Sequence, residues 1–221
     1  MFVKICGITN EEDALMATAL GADAVGFVFA PSTRQVSVGT VRDIAKRLPP
    51  EIVTVGVFRD QAPQLVIDTV LEAGLRAVQL HGHESPQDAA EIRPYVQALI
   101  VALAAGDPAL AHVDSYGADA LLLDSPVPGA GKVFDWALAE GVPVGRRMIL
   151  AGGLTPDNVG DAVREVQPWG VDTSTGVQVD GDPLRKDPLK VQRFVRNARA
   201  AAPQPYHPEG NGPFDWADAG L

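Results

Sequence analysis

The chain has 221 residues, of which 46% are hydrophobic and 21% charged, and its formal net charge is -10. This length is enough for one large hydrophobic core, while the negative charge argues against nucleic acid and anionic membrane surfaces as partners. No segment approaches the roughly 18 uninterrupted apolar residues of a membrane span. The N-terminus runs directly into a strand-like segment, so we expect a cytoplasmic protein without a signal peptide. The only cysteine, Cys6, excludes an internal disulfide, and no Cys/His cluster has zinc-site spacing.

Eight short apolar runs, rich in β-branched residues, alternate along the chain with helical patterns. The predicted strands are, in order, Phe2 to Ile5, Ala24 to Phe29, Ile52 to Phe58, Ala77 to Leu80, Ala98 to Ala102, Ala120 to Leu123, Arg147 to Leu150 and Gly170 to Thr173. Their starts lie about 20 to 30 residues apart, which suits a parallel strand followed by a crossover helix and does not suit hairpins. We therefore predict a single-domain (β/α)8 TIM barrel over residues 1–200, with an open doubly wound sheet as the competing topology.

Cap residues and prolines indicate where several of the intervening helices begin. Thr9 and Glu12 have the spacing of a capping box. Ser85-Pro86, Thr155-Pro156 and Asp187-Pro188 each place a cap residue before a proline at the first helical position. These signals predict helix starts directly after them.

Barrel enzymes carry their reactive groups where each strand ends and the following loop begins. Applied to the predicted strands, this rule selects groups after strands one, two, four, six, seven and eight. They are Cys6-Gly7, Arg34, His81, Asp124, Gly152-Gly153 and Ser174-Thr175-Gly176. We predict that these groups converge on one rim of the barrel.

Two turns among these candidates suit a phosphate group. A phosphate needs several backbone N–H donors aimed at one place, which glycine permits and a helix N-terminus reinforces. Gly152-Gly153 and Ser174-Thr175-Gly176 follow strands seven and eight, where barrel enzymes recurrently bind phosphate. An ordinary tight turn explains either loop alone, but the pair favours a phosphate site.

The remaining candidates carry groups suited to proton transfer or charge recognition. Cys6 is either a small buried hydrophobe or, beside a cation such as Lys4 or Arg34, a thiolate that acts as base or nucleophile. Asp124 ends a fully apolar strand, where it either caps a turn or acts as a general acid, since an apolar surround favours the protonated carboxyl. Arg34 either clamps a substrate carboxylate or is a solvated loop charge. We interpret His81 as making a structural hydrogen bond.

Eight short motifs occur in the order found in one family of barrel enzymes. They are Val3-Lys4-Ile5-Cys6-Gly7-Ile8-Thr9, Ala24-Val25-Gly26-Phe27-Val28-Phe29, Arg34-Gln35-Val36-Ser37, Val55-Gly56-Val57-Phe58, Val78-Gln79-Leu80-His81-Gly82, Leu122-Leu123-Asp124, Phe134-Asp135-Trp136 and Leu150-Ala151-Gly152-Gly153-Leu154. On these motifs, from residue 3 to about residue 200, the chain resembles the phosphoribosylanthranilate isomerases. The opening motif is specific, and eight ordered matches make a chance resemblance implausible.

The resemblance implies a particular reaction and particular roles. The reaction is an Amadori rearrangement, without cofactor or metal, of N-(5-phosphoribosyl)anthranilate to 1-(o-carboxyphenylamino)-1-deoxyribulose 5-phosphate in tryptophan biosynthesis. Carried over by position, Asp124 protonates the ribose ring oxygen, Cys6 takes the proton from ribose carbon 2, and Arg34 holds the anthranilate carboxylate. The expected partner is this small phosphoribosyl molecule, bound also by His81 and the two phosphate turns, in a monomer or a homodimer.

Three features depart from the family pattern. Gln178 stands where the family commonly has glutamate, which puts a side-chain contact there in doubt. Gly129-Ala130-Gly131 looks shorter than the usual loop after strand six. Residues 201–221, rich in proline and glycine, have no family counterpart and are predicted to form a flexible tail, although three aromatic residues in it leave open some packing on the surface.

Two other functions stay open on the sequence. One is another barrel enzyme for a ribose phosphate, such as an epimerase or the histidine-pathway isomerase. The histidine-pathway isomerase carries a pair of aspartates, and the first of them would stand near position 6. The cysteine at that position weighs against it. The other is a non-catalytic phosphosugar-binding barrel, and the presence of both Cys6 and Asp124 weighs against that.

Overall fold

Eight parallel strands close into a barrel in a computed structural model, which describes residues 1–124 and 147–202. The strands are β1 Phe2–Ile5, β2 Ala24–Val28, β3 Val53–Phe58, β4 Ala77–Leu80, β5 Ala98–Ala104, β6 Ala120–Asp124, β7 Met148–Leu150 and β8 Gly170–Thr173. β8 pairs with β1 from Phe2↔Gly170 to Ile5↔Thr173, which closes the ring. The closed ring confirms the (β/α)8 prediction and contradicts the open sheet. All eight predicted strands lie within two residues of the observed ones.

Helices pack around the outside of the ring. They are α1 Glu11–Ala19, α2 Val38–Ala45, α3 Pro63–Ala73, α4 Pro86–Ile92, α5 Val159–Val166 and α6 Pro188–Ala201, with short 3₁₀ helices at Arg93–Tyr95, Pro108–Tyr116 and Thr175–Val177. In the described ranges, none of these helices has the length and apolar character needed to cross a membrane. The predicted motif at 134–136, the loop at 129–131 and the tail from residue 203 lie outside the described residues.

Two of the predicted helix starts are confirmed by side-chain caps. Ser85 and Asp88 form a reciprocal capping box at the start of α4. The carboxylate of Asp187 accepts hydrogen bonds from two N–H groups in the first turn of α6. Each cap satisfies donors that the first helical turn leaves without a partner inside the helix.

The other two predicted caps are wrong, because the expected cap residues are used elsewhere; the start of α1 lies one residue later than predicted and that of α5 three residues later. Thr9 Oγ1 donates to the Leu184 carbonyl oxygen over 2.7 Å, and Asn10 caps α1 in its place. The Thr155 N–H donates to the Asn158 side chain over 2.8 Å, which holds residues 155–158 in a turn. α5 therefore begins only after Asn158.

Side-chain alternation along the strands separates two apolar cores. One core, with Ile5 and Phe27, lies between the strands and the helices, and the other, with Val55 and Leu122, fills the inside of the ring. Phe2 belongs to the inner core and stacks on Trp169 with the ring centroids 4.6 Å apart. The inward-facing residues that follow Phe2 along β1 are Lys4 and Cys6, so the inner face of the barrel changes from apolar to polar toward the carboxyl end of this strand.

A two-stranded hairpin after β8 was not predicted. β9 Gln178–Val179 pairs antiparallel with β10 Asp182–Lys186. The Asp180-Gly181 dipeptide, with Gly181 at φ 81°, is the local hairpin signal. The hairpin lies against loops one and two, because its Pro183 carbonyl accepts a hydrogen bond from Arg34 Nε over 3.2 Å. It therefore brings the end of β10 back to the rim of the barrel.

Candidate functional site

A cavity of about 360 Å³ opens at the carboxyl ends of the strands. Its lining includes eight of the nine predicted site residues: Cys6, Arg34, His81, Asp124, Gly152, Gly153, Ser174 and Thr175. The ninth, Gly176, lies beneath loop seven, where a β-carbon would collide with the Leu154 carbonyl oxygen. Gly176 thus allows loops seven and eight to pack together and does not line the cavity.

A buried ion pair lies below Cys6 on the inner face of the barrel. Lys4 and Asp172 are register partners in the β1–β8 ladder, and Nζ lies 3.0 Å from Oδ1. Burial alone lowers the pKa of Lys4, but the Asp172 carboxylate and the Cys6 sulfur outweigh that effect and leave it raised. Lys4 therefore keeps a positive charge next to the sulfur at neutral pH.

Cys6 itself points into the cavity and is only 8% exposed. Gly26 on β2 makes room for it, because a β-carbon there would stand 2.8 Å from Sγ. Burial raises the pKa of the Cys6 thiol, whereas Lys4 opposes the rise, Asp172 reinforces it and Lys186 opposes it. Burial is the largest of these effects, so the pKa of the thiol stays raised and the nearby ammonium groups offset only part of the rise.

Lys186, at the end of β10, is a second lysine in this neighbourhood. It is 2% exposed, and its Nζ donates to the Ser174 carbonyl oxygen over 2.9 Å. Its backbone N–H donates to the buried Asp13 carboxylate over 2.9 Å, which anchors the residue. Burial lowers the pKa of Lys186 to about 8, with Arg34 adding to the effect and Cys6 opposing it.

His81 and Asp124 meet on the opposite side of the cavity. His81 Nε2 lies 3.3 Å from Asp124 Oδ2, and the Asp124 side chain is 14% exposed. Gln79, two residues before His81 on the same inward face, places Nε2 at 2.7 Å from His81 Nδ1. When Gln79 donates this hydrogen bond, His81 carries its proton on Nε2 and points it at Asp124. Gln79 thus orients His81, and His81 orients Asp124.

Loops seven and eight form the region predicted for phosphate. Gly152 and Gly153 have φ values of 84° and 66°, a left-handed conformation that glycine adopts without strain. Within the described residues, neither of their N–H groups donates to another protein group. Thr173 Oγ1 donates to the Leu154 carbonyl oxygen over 2.8 Å and joins the two loops. The turns therefore present free backbone donors on a rigid base.

Arg34 lies over the turn that follows Cys6. Gly7 has φ 70°, and a β-carbon on it would stand 2.6 Å from Arg34 Cδ and 2.7 Å from Ser174 Oγ. Glycine at this position therefore allows loops one, two and eight to meet. Gln178, the departure from the family pattern, donates to the Pro183 carbonyl oxygen over 3.0 Å inside the hairpin.

Four residues of the site were not among the predicted site residues: Lys4, Gln79, Asp172 and Lys186. The first three each lie two residues before a predicted strand-end group, so the period-two alternation of strands was the signal that could have found them. Lys186 has no such signal, because only the hairpin brings it to the rim. In residues 1–124 and 147–202, no group of three or more His, Cys, Asp or Glu side chains is arranged to hold a metal ion.

A closed ring of eight parallel strands, with a polar cavity at their carboxyl ends, defines the (β/α)8-barrel class of enzymes. Within this class, the family model for N-(5'-phosphoribosyl)anthranilate (PRA) isomerase, abbreviated PRAI, matches residues 3–197. The chain belongs to this family.

Individual relatives agree with the family match. An N-(5'-phosphoribosyl)anthranilate isomerase from Desulforudis audaxviator is 45% identical, over 90% of this chain and 98% of its own length. The crystal structure of phosphoribosyl anthranilate isomerase from Thermus thermophilus matches with TM-score 0.83 and 41% identity, covering 90% of this chain and 99% of that one. Another solved isomerase, in complex with reduced 1-(o-carboxyphenylamino)-1-deoxyribulose 5-phosphate, matches with TM-score 0.78 and 37% identity at the same coverage.

Proposed function

We propose that this chain converts N-(5'-phosphoribosyl)anthranilate to 1-(o-carboxyphenylamino)-1-deoxyribulose 5-phosphate in tryptophan biosynthesis, as a cofactor-independent aldose–ketose isomerase. The observation that carries the proposal is the meeting of Cys6 and Asp124 in one cavity whose rim also holds the glycine turns of loops seven and eight. Membership in the isomerase family supports the same conclusion. The reaction needs only an acid, a base and groups that hold the two ends of the substrate.

Asp124 is the proposed general acid. Protonation of the ribose ring oxygen breaks its bond to carbon 1 and leaves a cationic imine between that carbon and the anthranilate nitrogen. The carboxyl of Asp124 reaches the cavity from the end of β6 and is oriented by His81. A carboxyl at this place in the cavity can deliver a proton to an ether oxygen within hydrogen-bond reach.

Cys6 is the proposed general base. The cationic imine draws electrons from the neighbouring C–H bond, so a thiolate is a sufficient base for the proton on ribose carbon 2. Loss of that proton gives an enolamine, which becomes the ketone when carbon 1 gains a proton and the hydroxyl on carbon 2 loses one. Because Cys6 and Asp124 sit on different strands across the cavity, acid and base need not neutralise each other.

The remaining groups are proposed to hold the substrate. The N–H groups of Gly152, Gly153 and Ser174-Thr175 suit the phosphate, because they combine glycine turns with donors near one place. Arg34, on loop two next to loop one, suits the anthranilate carboxylate through its two-pronged guanidinium.

The proposed function also bears on the domain bounds, the oligomeric state and the cellular location of the protein. We place one catalytic domain over residues 1–200, since the family match covers residues 3–197 and α6 ends at Ala201, with residues 201–221 outside it. The cavity is lined within one chain, so either a monomer or a homodimer can contain a complete site. A cytoplasmic location suits a substrate and product that carry phosphate and cannot cross a lipid core unaided.

Turnover of freshly generated phosphoribosylanthranilate is the direct test of this function. The purified full chain is expected to change the fluorescence of the anthranilate group at a rate proportional to enzyme concentration, and a metal chelator is expected to leave that rate unchanged. A Cys6→Ala, Asp124→Asn double variant provides the matched blank. A rate no higher than this blank would contradict the proposed activity.

The Arg34→Ala variant is expected to bind the substrate more weakly. Loss of a charge-assisted pair to a carboxylate costs about 1.5–3 kcal/mol, so KM should rise roughly 10- to 100-fold, with kcat changed less. Steady-state kinetics of the wild type and the variant measure the changes in KM and kcat separately. Arg42→Ala, on the exposed part of α2 and away from the cavity, is the control. Unchanged kinetics in Arg34→Ala would return Arg34 to the role of a solvated loop charge.

A further inference from the structure

Lys186 is a buried cation without a carboxylate partner in the described part of the chain. It is 2% exposed, and within residues 1–124 and 147–202 no carboxylate oxygen lies within ion-pair distance of its Nζ. Lys186 Nζ lies 2.9 Å from the carbonyl oxygen and 3.4 Å from the hydroxyl oxygen of Ser174. A buried charge normally has an opposite charge nearby, because removing an ion from water is costly.

Hydrogen bonds to two consecutive residues, at the end of β8 and the start of loop eight, connect Lys186 with Cys6. Ser174, which accepts from Lys186 Nζ, directly follows Thr173, whose carbonyl oxygen accepts from the Cys6 N–H over 2.8 Å. The Ser174 hydroxyl also lies against Gly7, the residue after Cys6. The ammonium of Lys186 therefore stands on the wall that Cys6 shares with loop eight.

The other charged groups around Cys6 are paired with each other or lie closer to solvent than Lys186 does. Lys4 on β1 and Asp172 on β8 neutralise each other as an ion pair. Arg34 adds a positive charge from the partly exposed loop two, and Asp13 on α1 interacts with the backbone of Lys186 and the side chain of Arg185. His81 and Asp124 form their own pair at the far side of the cavity. Lys4 and Lys186 are therefore the two ammonium groups that act on the sulfur, and of the two only Lys186 has no carboxylate within ion-pair distance in the described residues.

We propose that Lys186 is a positioning residue for the base: its buried ammonium is a second counter-charge, in addition to that of Lys4, that stabilises the Cys6 thiolate. The inference rests on the proposed function in so far as Cys6 is the base of that reaction. When the thiolate takes the proton from ribose carbon 2 it becomes a neutral thiol, and Lys186 keeps its own proton throughout. The pKa of Lys186, lowered to about 8 by burial and raised by Cys6, and the opposing effect of Lys186 on the thiol are consistent with this coupling.

Alkylation of Cys6 by iodoacetamide tests the proposal without any turnover. Because Cys6 is the only cysteine and lines the cavity, the reaction of the full chain with this small neutral reagent reports on one sulfur. Lys186→Gln removes the charge and keeps a donor toward the Ser174 carbonyl. Loss of a nearby cation disfavours the thiolate, so alkylation is expected to be roughly tenfold slower below about pH 8, where Lys186 carries its charge, and the midpoint of the alkylation rate against pH is expected to move up by as much as about one unit.

The controls separate this coupling from other roles of Lys186. Lys46→Gln, at an exposed position outside the cavity, is expected to alkylate as the wild type does. If Lys186→Gln does not fold, Lys186→Met provides the same loss of charge with an apolar side chain of similar length. An unchanged alkylation midpoint in a folded variant would overturn the proposal, and a raised KM with that unchanged midpoint would assign Lys186 to the substrate phosphate.

The same measurements distinguish a failure of this inference from a failure of the proposed function. A shifted midpoint in Lys186→Gln supports the lysine–thiolate coupling even if the wild type shows no turnover of phosphoribosylanthranilate. If the wild type turns over, the acid limb of its kcat–pH profile is expected to move up with the alkylation midpoint in Lys186→Gln. A kcat limb that stays in place while alkylation shifts would contradict the role of Lys186 in supporting the base.

Discussion

Replacement of Cys6 by serine is expected to lower kcat by roughly 10³-fold, because a hydroxyl holds its proton much more tightly than a thiol and cannot serve as a base near neutral pH. The side chains are similar in size, and Gly26 already makes room for the larger sulfur, so the fold should be retained. Initial rates on freshly generated phosphoribosylanthranilate measure the loss, and far-ultraviolet circular dichroism checks the fold.

A second cysteine variant makes this prediction sharper. Cys6→Ala removes the hydrogen-bonding group altogether and should be as inactive as Cys6→Ser, since neither side chain is a base. Both variants should still bind the product or its reduced analogue, because the proposed phosphate and carboxylate contacts lie on other loops. A serine variant with more than a tenth of the wild-type kcat would show that another group removes the proton from carbon 2.

The Asp124→Asn variant is expected to lose a similar factor, about 10²- to 10⁴-fold in kcat, for a different reason. Asparagine keeps the size of the side chain and a contact with His81, but its amide cannot deliver a proton to the ribose ring oxygen. Asp68→Asn, at an exposed position of α3, is the control and should leave kcat unchanged. Activity of Asp124→Asn within tenfold of the wild type would contradict the proposed acid.

The two variants should stop the reaction at different points. Without the acid the ring stays closed, so Asp124→Asn should mix with substrate in a single turnover without a spectral change. Without the base the ring still opens, so Cys6→Ser should give a rapid absorbance change with little product. The same early absorbance change in both variants would contradict the order of acid before base.

The position of the candidate site was predictable from local patterns. Continuous apolar runs such as Ala98–Ala104 predict strands buried on both faces, and parallel strands place their carboxyl ends on one rim. The residue after each run could therefore be assigned to the rim without coordinates. Cys6, His81 and Asp124 line one cavity because the inward and outward positions of a strand alternate strictly.

Contacts between distant segments were not predictable, because a side chain bonds whichever partner the fold brings nearest. Thr9 had the spacing of a cap, but the Leu184 carbonyl, 175 residues later, takes its hydroxyl. Lys4 and Asp172 meet only because β8 closes the ring onto β1. In both cases the local sequence was compatible with several partners for the side chain, and the tertiary packing determined which partner it contacts.

Cys6 illustrates which properties of a residue follow from the sequence and which follow from the tertiary structure. The sequence alone determined that a thiol stands at the end of the first strand of a barrel, since that depends on periodicity and on the chemistry of one residue. Only the tertiary structure decided its electrostatic surroundings: Lys4 and Asp172 below it and Lys186 beside it. Charges act through space and across a low-dielectric interior, so the proton affinity of the thiol depends on residues up to 180 positions away in the chain.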